Sequence, residues 1–189
     1  SMEVAASTTK TNEWETLSFD FSSAYNSSVK YNKISVFPNF LVAETANTTY
    51  YFDDLAFAIS KTVTPATSAA IDFSGSTVVL EGFEGLVSAT VENDPTNAAN
   101  KVAKLVKGPA GQPWAGATIY TVAADKSVGT IDFSGSKVIT MRVYSPGAGK
   151  KINLKVEDAA DGTKSMEVAA STTKTNEWET LSFDFSSAY

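Results

Sequence analysis

The chain of 189 residues contains no cysteine and no histidine. Their absence excludes thiol nucleophiles, histidine-based catalytic triads and zinc sites of the usual kind, and it leaves the redox compartment open. The chain has a single arginine, Arg142, and a formal net charge of -6. Because nucleic-acid binding needs clustered Lys and Arg, the composition argues against it.

Long apolar runs are missing as well. No stretch approaches the roughly 18 apolar residues that a membrane-spanning helix needs, so membrane insertion is not expected. No signal peptide is recognisable, and no helical period continues for more than about two turns. Ser, Thr, Ala, Asn and Val are abundant while charge is sparse, a composition that is common in secreted bacterial β-proteins.

One segment of the chain occurs twice. Residues 1–25 read SMEVAASTTKTNEWETLSFDFSSAY, and residues 165–189 repeat them at every position, at an offset of 164 residues. Three interpretations fit this identity. The chain is a slice of a tandem array of identical modules, a permuted chain in which one segment was supplied twice, or a unit whose surplus segment fills a neighbour's slot by domain swapping.

Alternating apolar and polar residues predict β-strands along the whole period. Within the repeated segment, residues 13–22 place Leu17, Phe19 and Phe21 on one side, and residues 2–6 alternate in the same way before a polar turn. We therefore predict that the segment is a β-hairpin. About ten strands with frequent Gly, Pro and Asn turns favour an all-β fold, a two-sheet antiparallel sandwich.

Residues 61–70 have the composition of a linker, being small and polar with one proline. We place a domain junction there. Residues 1–60 are then the C-terminal part of a β-sandwich module, and residues 71–189 are the N-terminal part of the same or the next module. The order is rotated, because one natural module would run from residue 71 to the end of the chain and continue at residue 26.

Six pieces of the chain, taken in rotated order, carry a family resemblance: VLEGFEGL, NDPTNAANKVAKLVKG, PWAGATIY, KVITMRVYSPGAGKKINLKVED, NEWETLSFDF and TYYFDDLAF. In this order the chain resembles the jelly-roll carbohydrate-binding modules that accompany secreted polysaccharide-degrading enzymes, especially in Bacteroidetes-like bacteria. The resemblance covers most of residues 78–189 and 26–57. It implies a jelly-roll sandwich in an extracellular or cell-surface protein, and related modules also occur as repeats in large surface proteins.

The same resemblance implies one structural calcium ion, held where the first and last strands of such modules meet. The matching residues are Glu84, Asp53, Asp54, and oxygens of the loop supplied by Asn97, Asn100 or the carbonyl of Lys101. Calcium takes six to eight oxygen ligands from carboxylates, amides and backbone carbonyls, and these residues can supply such oxygens. The alternative is that Asp53 and Asp54 are solvated or capped carboxylates.

Sugar recognition needs aromatic faces and planar polar groups. Arg142 lies in mid-strand on the side opposite the apolar residues, and Asn153 lies on a strand that we predict to be its neighbour. The alternatives are an ion pair of Arg142 with Glu157 or Glu167 and ordinary packing of the aromatic side chains. Trp178, with Trp14, resembles a tryptophan that is usually structural in such modules. The candidate ligand-binding residues are Arg142, Tyr144, Thr140, Asn153, Trp114, Tyr120 and Phe37.

We expect a non-catalytic module that binds polysaccharide on a concave sheet face, as one repeat of a secreted or cell-surface protein. No motif pairs two carboxylates as a glycosidase requires, so enzyme activity is not expected. The alternative is a structural or adhesive repeat whose duplicated hairpin joins neighbouring copies into arrays or filaments. Because a free copy would expose an apolar strand face, we expect one copy to complete the sandwich and the other to be buried in the next unit.

Overall fold

The computed structural model describes residues 31–59, 67–75, 77–134 and 136–186. These residues form eleven strands and no helix, and so no helix that could span a membrane. The strands are β1 (Lys33–Phe37), β2 (Thr48–Ile59), β3 (Thr67–Ile71), β4 (Val79–Phe83), β5 (Ser88–Asp94), β6 (Asn97–Lys107), β7 (Gly116–Tyr120), β8 (Val138–Tyr144), β9 (Lys151–Asp158), β10 (Asp161–Ser171) and β11 (Trp178–Asp184).

The strands form two antiparallel sheets, which pack face to face. The first sheet has the order β10–β9–β1–β7–β4, and the second has the order β11–β8–β2–β6–β5, with β3 paired to β2. The predicted all-β, two-sheet antiparallel sandwich is therefore confirmed, and the arrangement is compatible with a jelly-roll-like fold. The first two strands of the described residues, β1 and β2, lie at the centres of the two sheets, where they pair with strands from the later part of the chain.

The core lies between the sheets and follows from the alternation in each strand. Ile139, Met141 and Val143 of β8 are fully buried, as are the three aliphatic side chains that β9 contributes from the facing sheet. Burying each such side chain contributes about 1.5–3 kcal/mol relative to leaving it in water. The intervening residues of each strand face outward, so the outer side of each sheet carries the polar and aromatic groups that could meet a ligand.

The second copy of the repeated segment supplies β10 and β11, and its residues Leu181, Phe183 and Phe185 are buried in the core as the alternation predicts. The predicted hairpin is wrong for this copy, because β10 pairs with β9 in the first sheet while β11 pairs with β8 in the second. Residues 172–177 cross between the sheets, which lie about 10 Å apart in a sandwich. The first copy, residues 1–25, lies outside the described residues, as does the prediction of where it is buried.

The carboxylate of Glu179 stabilises this crossing. Its oxygens accept hydrogen bonds from the backbone N–H groups of Thr173 and Lys174 and from the hydroxyl of Thr173, at 2.8–3.2 Å. The backbone donors of Thr173 and Lys174 therefore bond to a side chain of β11, while those of Thr172 and Asn176 bond to the carbonyls of Lys150 and Ser145. The two strands can then separate into different sheets without leaving these backbone donors unpaired.

The predicted linker contains part of a strand. Residues 67–70 belong to β3, which pairs with the second half of β2 from Leu55 to Ile59. Small Ser, Thr and Ala residues are compatible with a short strand as well as with a linker, so composition alone did not separate the two. The segment of the proposed junction nearest to β4 is thus part of the second sheet.

Lys107 is a fully buried cation at the end of β6. Its Nζ donates hydrogen bonds to the carbonyl oxygens of Pro38 (3.1 Å), Asn39 (3.2 Å) and Pro113 (2.5 Å). Burial lowers the pKa of Lys107, and the negative charge of Glu44 acts against this shift. The three carbonyls compensate for the loss of water around the ammonium group, which ties the β1–β2 connection to the β6–β7 connection.

Candidate ligand-binding face

Three aromatic side chains form a row across the outer side of the second sheet. Tyr51 of β2, Tyr144 of β8 and Trp178 of β11 are direct partners in the strand register. The ring centroids of Tyr51 and Tyr144 are 5.6 Å apart, as are those of Tyr144 and Trp178, and both pairs meet edge to face. All three side chains are half-buried. This aromatic row therefore presents ring surface to solvent along three neighbouring strands.

Arg142 lies next to the aromatic row and is the cross-strand partner of Asp53. Its Nη1 is 3.4 Å from Oδ2 of Asp53 and 3.4 Å from Oδ2 of Asp54. Its Cζ lies 4.6 Å from the ring centroid of Trp178, a cation–π contact. The alternative of an ion pair thus applies, but with these aspartates, because Glu157 and Glu167 lie on strands of the other sheet.

Asp53 and Asp54 share one side of β2 because the strand contains a β-bulge. The register with β8 shifts between Asp53 and Ala56, and Asp54 has a positive φ of 48°. In a regular strand Asp54 would face the core and Leu55 the outside. The extra residue reverses these directions, so Leu55 is buried and Asp54 is exposed.

The aromatic row lies on a concave face. Nε1 of Trp178 donates hydrogen bonds to Oδ1 of Asp94 (3.0 Å) and to Oγ1 of Thr96 (3.2 Å), although β11 and β5 are opposite edges of the second sheet. Four strand spacings would separate these edges by about 19 Å in a flat sheet, which two side chains cannot span. The end of the β5–β6 hairpin, where β6 no longer pairs with β2 and the register shifts, therefore bends over this side of the sheet and forms a hollow, and the indole lies beside Arg142. We call this outer side of the second sheet the concave face.

Beneath the indole lies a cluster of two carboxylates and an amide. Asn100 donates from Nδ2 to Oδ2 of Asp53 (2.8 Å) and to Oδ2 of Asp94 (3.4 Å). Burial raises the pKa of Asp53 by more than the hydrogen bond from Asn100 and the charge of Arg142 lower it. Burial also acts to raise the pKa of Asp94, but hydrogen bonds from Thr96, Trp178 and Asn100 outweigh it and the pKa falls.

One oxygen atom of this cluster has no hydrogen-bond partner. Asp53 is only 2% exposed, and its Oδ1 has no hydrogen-bond partner. Buried polar atoms in proteins are nearly always paired, because an unpaired acceptor costs free energy. Because Oδ1 is itself buried, a donor group of a ligand would reach it only after a neighbouring side chain moves aside.

The predicted ligand-binding residues fall on different parts of the sandwich. The prediction that the strands of Arg142 and Asn153 are neighbours is wrong, because β8 belongs to the second sheet and β9 to the first. The concave face holds Arg142, Tyr144 and Thr140, the outer side of the first sheet holds Asn153, Tyr120 and Phe37, and the β6–β7 connection holds Trp114, which is 45% exposed.

The outer side of the first sheet is built from groups that satisfy one another. Phe37 is buried under the rings of Phe40 and Phe83, at centroid distances of 5.4 and 5.3 Å. Asn153 is buried and donates to Oε2 of Glu167 (3.2 Å). Phe37 and Asn153 thus have protein partners in place of the exposed surface that a ligand would need.

The six predicted calcium ligands do not come together. Asp53, Asp54 and Asn100 lie at the concave face, whereas Glu84 follows β4 of the first sheet, where its carbonyl accepts a hydrogen bond from the backbone of Gln112 (2.9 Å). Across the described residues, no three or more His, Cys, Asp or Glu side chains are placed to hold a metal ion.

The remaining two candidates also have local partners. Oδ1 of Asn97 accepts a hydrogen bond from the backbone of Ala99 (3.2 Å), and Lys101, whose carbonyl was the predicted ligand, is paired with Asn93 in the register of β5 and β6. Around Asp53 the nearest groups are the donors of Asn100 and Arg142, where calcium would need further oxygens. As arranged, the predicted set does not fit the ion, and calcium binding stays a prediction.

Sequence reasoning missed three residues of the concave face. Asp94 was not singled out, Tyr51 was treated only as part of a strand, and Trp178 was interpreted as structural. The alternation of β2 places Tyr51 outward, opposite to the core residue Phe52. The sequence pattern could therefore have identified Tyr51 as an outward-facing aromatic residue. The meeting of Trp178 with Tyr144 depends on the pairing of β11 with β8, which alternation does not specify.

Searches against protein-family models, curated proteins and solved structures gave no significant match. The function of the chain is therefore inferred from the geometry of the concave face, with the resemblance of the sequence pieces as a supporting argument.

Proposed function

We propose that the chain is a non-catalytic carbohydrate-binding module that takes a polysaccharide on the concave face. The observation that carries this proposal is the aromatic row of Tyr51, Tyr144 and Trp178 beside Arg142 and the exposed carboxylate of Asp54. Sugar rings present C–H groups that pack on aromatic rings and hydroxyls that donate hydrogen bonds to carboxylates. The resemblance to modules of secreted enzymes and surface proteins supports an extracellular or cell-surface location.

The charges of the concave face favour an uncharged glycan over an acidic one. Arg142 is the one guanidinium of the chain, and it already pairs with Asp53 and Asp54. A uronic acid would have to compete with two carboxylates for this group and would be repelled by both. Hydroxyls of a neutral sugar meet neither difficulty, because they can donate to the same carboxylates.

Affinity electrophoresis on soluble β-glucans, xylans and alginate tests this proposal. We expect retardation on at least one neutral glycan, and a Tyr144→Ala variant should lose about tenfold in affinity, since aromatic contacts contribute about 0.5–1.5 kcal/mol beyond area burial. The matched control is Tyr120→Ala, which removes a half-buried tyrosine from the first sheet. Tyr120→Ala should bind as the parent does. Absence of retardation on every glycan would refute the function, and equal losses in both variants would refute the site.

A second candidate is a structural or adhesive repeat that joins neighbouring copies of the module. The observation that favours it is that residues 165–186 supply an edge strand to both sheets at once, so an identical segment from another chain matches both positions. Dilution series in analytical ultracentrifugation separate the candidates. Oligomers that dissociate on dilution, with no glycan binding, would favour assembly, whereas a monomer at all concentrations would contradict it.

A further inference from the structure

We infer that residues 1–25 can take the place of residues 165–189 in the same chain, so that one sequence has two complete registers of the sandwich. The first register, in which described residues of the second copy fill the two edge positions, corresponds to residues 26–189 of the sequence, and the second corresponds to residues 1–164. Each contains one full 164-residue period. This inference concerns the fold of the chain and does not depend on the proposed glycan binding.

The interactions that hold the second copy are available to the first because the two sequences are identical. In the observed register β10 pairs with β9, β11 pairs with β8, and Phe183 is fully buried between the sheets. Residues 1–25 present the same side chains in the same order, and Phe19 corresponds to Phe183. The two copies therefore compete for the same two edge positions with equal contacts.

The chain connection permits the exchange within one molecule. The ring of Phe133 lies 5.8 Å from that of Tyr31 and 5.6 Å from that of Phe185. The position of Phe185 is therefore at most about 12 Å from Tyr31, measured between ring centroids through Phe133. In the second register Phe21 would take that position, and the ten peptide units from Phe21 to Tyr31 can span about 33 Å.

The new chain end would also lie at a position where an interruption of the chain is tolerated. In the second register the chain starts beside the position of Ser165, in the irregular part of β10, where the pairing with β9 shifts register between Asp161 and Ser165. Gly162, Thr163 and Lys164 are exposed. Exposed, irregular turns are the sites at which interruption of the chain is best tolerated, and the interruption separates the exposed start of β10 from the part that carries its buried residues.

One consequence links the exchange to the concave face. Trp178 belongs to the second copy, and its counterpart in the first copy is Trp14. A tryptophan would therefore stand beside Tyr144 and Arg142 in either register. The aromatic row would stay complete whichever copy fills the edge positions.

Matched substitutions in the full chain test the inference. Phe183→Asp and Phe19→Asp each place a charge in one copy, and a double variant carries both. If either copy can fill the edge positions, each single variant keeps a cooperative urea transition with a midpoint close to that of the parent, and the double variant loses the transition. Sedimentation should show that both single variants are monomers.

Three results would overturn the inference. Loss of the transition in Phe183→Asp with no effect of Phe19→Asp would show that only residues 165–189 can fill the positions. A double variant as stable as the single ones would show that the charge is merely tolerated. A folded Phe183→Asp variant whose mass rises with concentration would show that the replacing segment comes from a second chain.

Discussion

Asp53 and Glu157 are buried carboxylates on the two outer sides of the sandwich, 2% and 5% exposed. Their pKa values move in opposite directions. Burial raises the pKa of Asp53 despite the hydrogen bond from Asn100 and the charge of Arg142. Burial also acts to raise the pKa of Glu157, but hydrogen bonds from Lys155 and Lys33 outweigh it and the pKa falls.

The difference lies in how completely each carboxylate is paired. Oε1 of Glu157 pairs with Lys33, and Oε2 pairs with Lys155 at 2.6 Å. Asp53 has its donors on Oδ2, while Oδ1 stays open. The buried carboxylate on the outer side of the first sheet is thus paired through both of its oxygens. The concave face keeps a buried acceptor without a hydrogen-bond partner.

The largest change in the free energy of unfolding should come from Glu157→Gln. The substitution keeps the shape but removes the charge that holds two lysines, and we expect a loss of about 1–3 kcal/mol in the free energy of unfolding. Urea denaturation at neutral pH measures it. The control is Glu92→Gln on the other sheet, whose pair with Lys104 is solvent-exposed and should contribute about 0.5 kcal/mol or less. Equal losses of unfolding free energy in the two variants would contradict the difference between the buried and the exposed carboxylate.

A smaller change should appear in how the free energy of unfolding depends on pH. The pKa of Glu157 lies below its ordinary value of 4.5, so its contribution is present above that pH and is lost as pH falls through the lowered value. The pKa of Asp53 lies above 3.8, so its protonation adds stability as pH falls through the raised value. Unfolding free energies from pH 7 to 3 should therefore fall less in Glu157→Gln than in the parent, and more in Asp53→Asn. The reverse order would refute both assignments.

The smallest change in stability should come from Asp53→Asn at neutral pH. Removing a buried charge with an unpaired oxygen offsets the loss of the contact with Arg142, and we expect a change within about 1 kcal/mol. Affinity for a neutral glycan should nevertheless fall several-fold, because an amide accepts a hydroxyl hydrogen bond less strongly than a carboxylate does. Titration calorimetry beside urea denaturation checks both values. Unchanged affinity would show that Oδ1 does not meet the ligand.

Alternation in the sequence predicted which residues of a strand face the core, but not which sheet a strand joins. Leu181, Phe183 and Phe185 lie inward as the alternation of the repeated segment predicts, whereas Arg142 and Asn153 were predicted to lie on neighbouring strands although they belong to different sheets. Inward and outward positions follow from the two-residue period of a strand. Sheet membership depends on long-range pairing, which a local pattern does not contain.

Two further differences between the sequence predictions and the structure have local causes. The hairpin prediction treated residues 172–177 as a tight polar turn, but Glu179 supplies the hydrogen bonds that let the chain cross between sheets. The resemblance implied Asp53 and Asp54 as calcium ligands on one side of the strand, and their common direction comes from the bulge at Asp54. A bulge depends on the neighbouring strand, so the sequence of β2 alone does not reveal it.

The side chain of Lys107 joins two connections at one end of the sandwich by hydrogen bonds that a chelator cannot remove. Sandwich domains can fasten their connections with a bound metal ion, and such a tie dissociates when the free ion is scarce. Here a positive charge on the chain itself bonds the carbonyls of Pro38, Asn39 and Pro113. The connections at this end should therefore hold equally well in media that differ widely in their content of divalent cations.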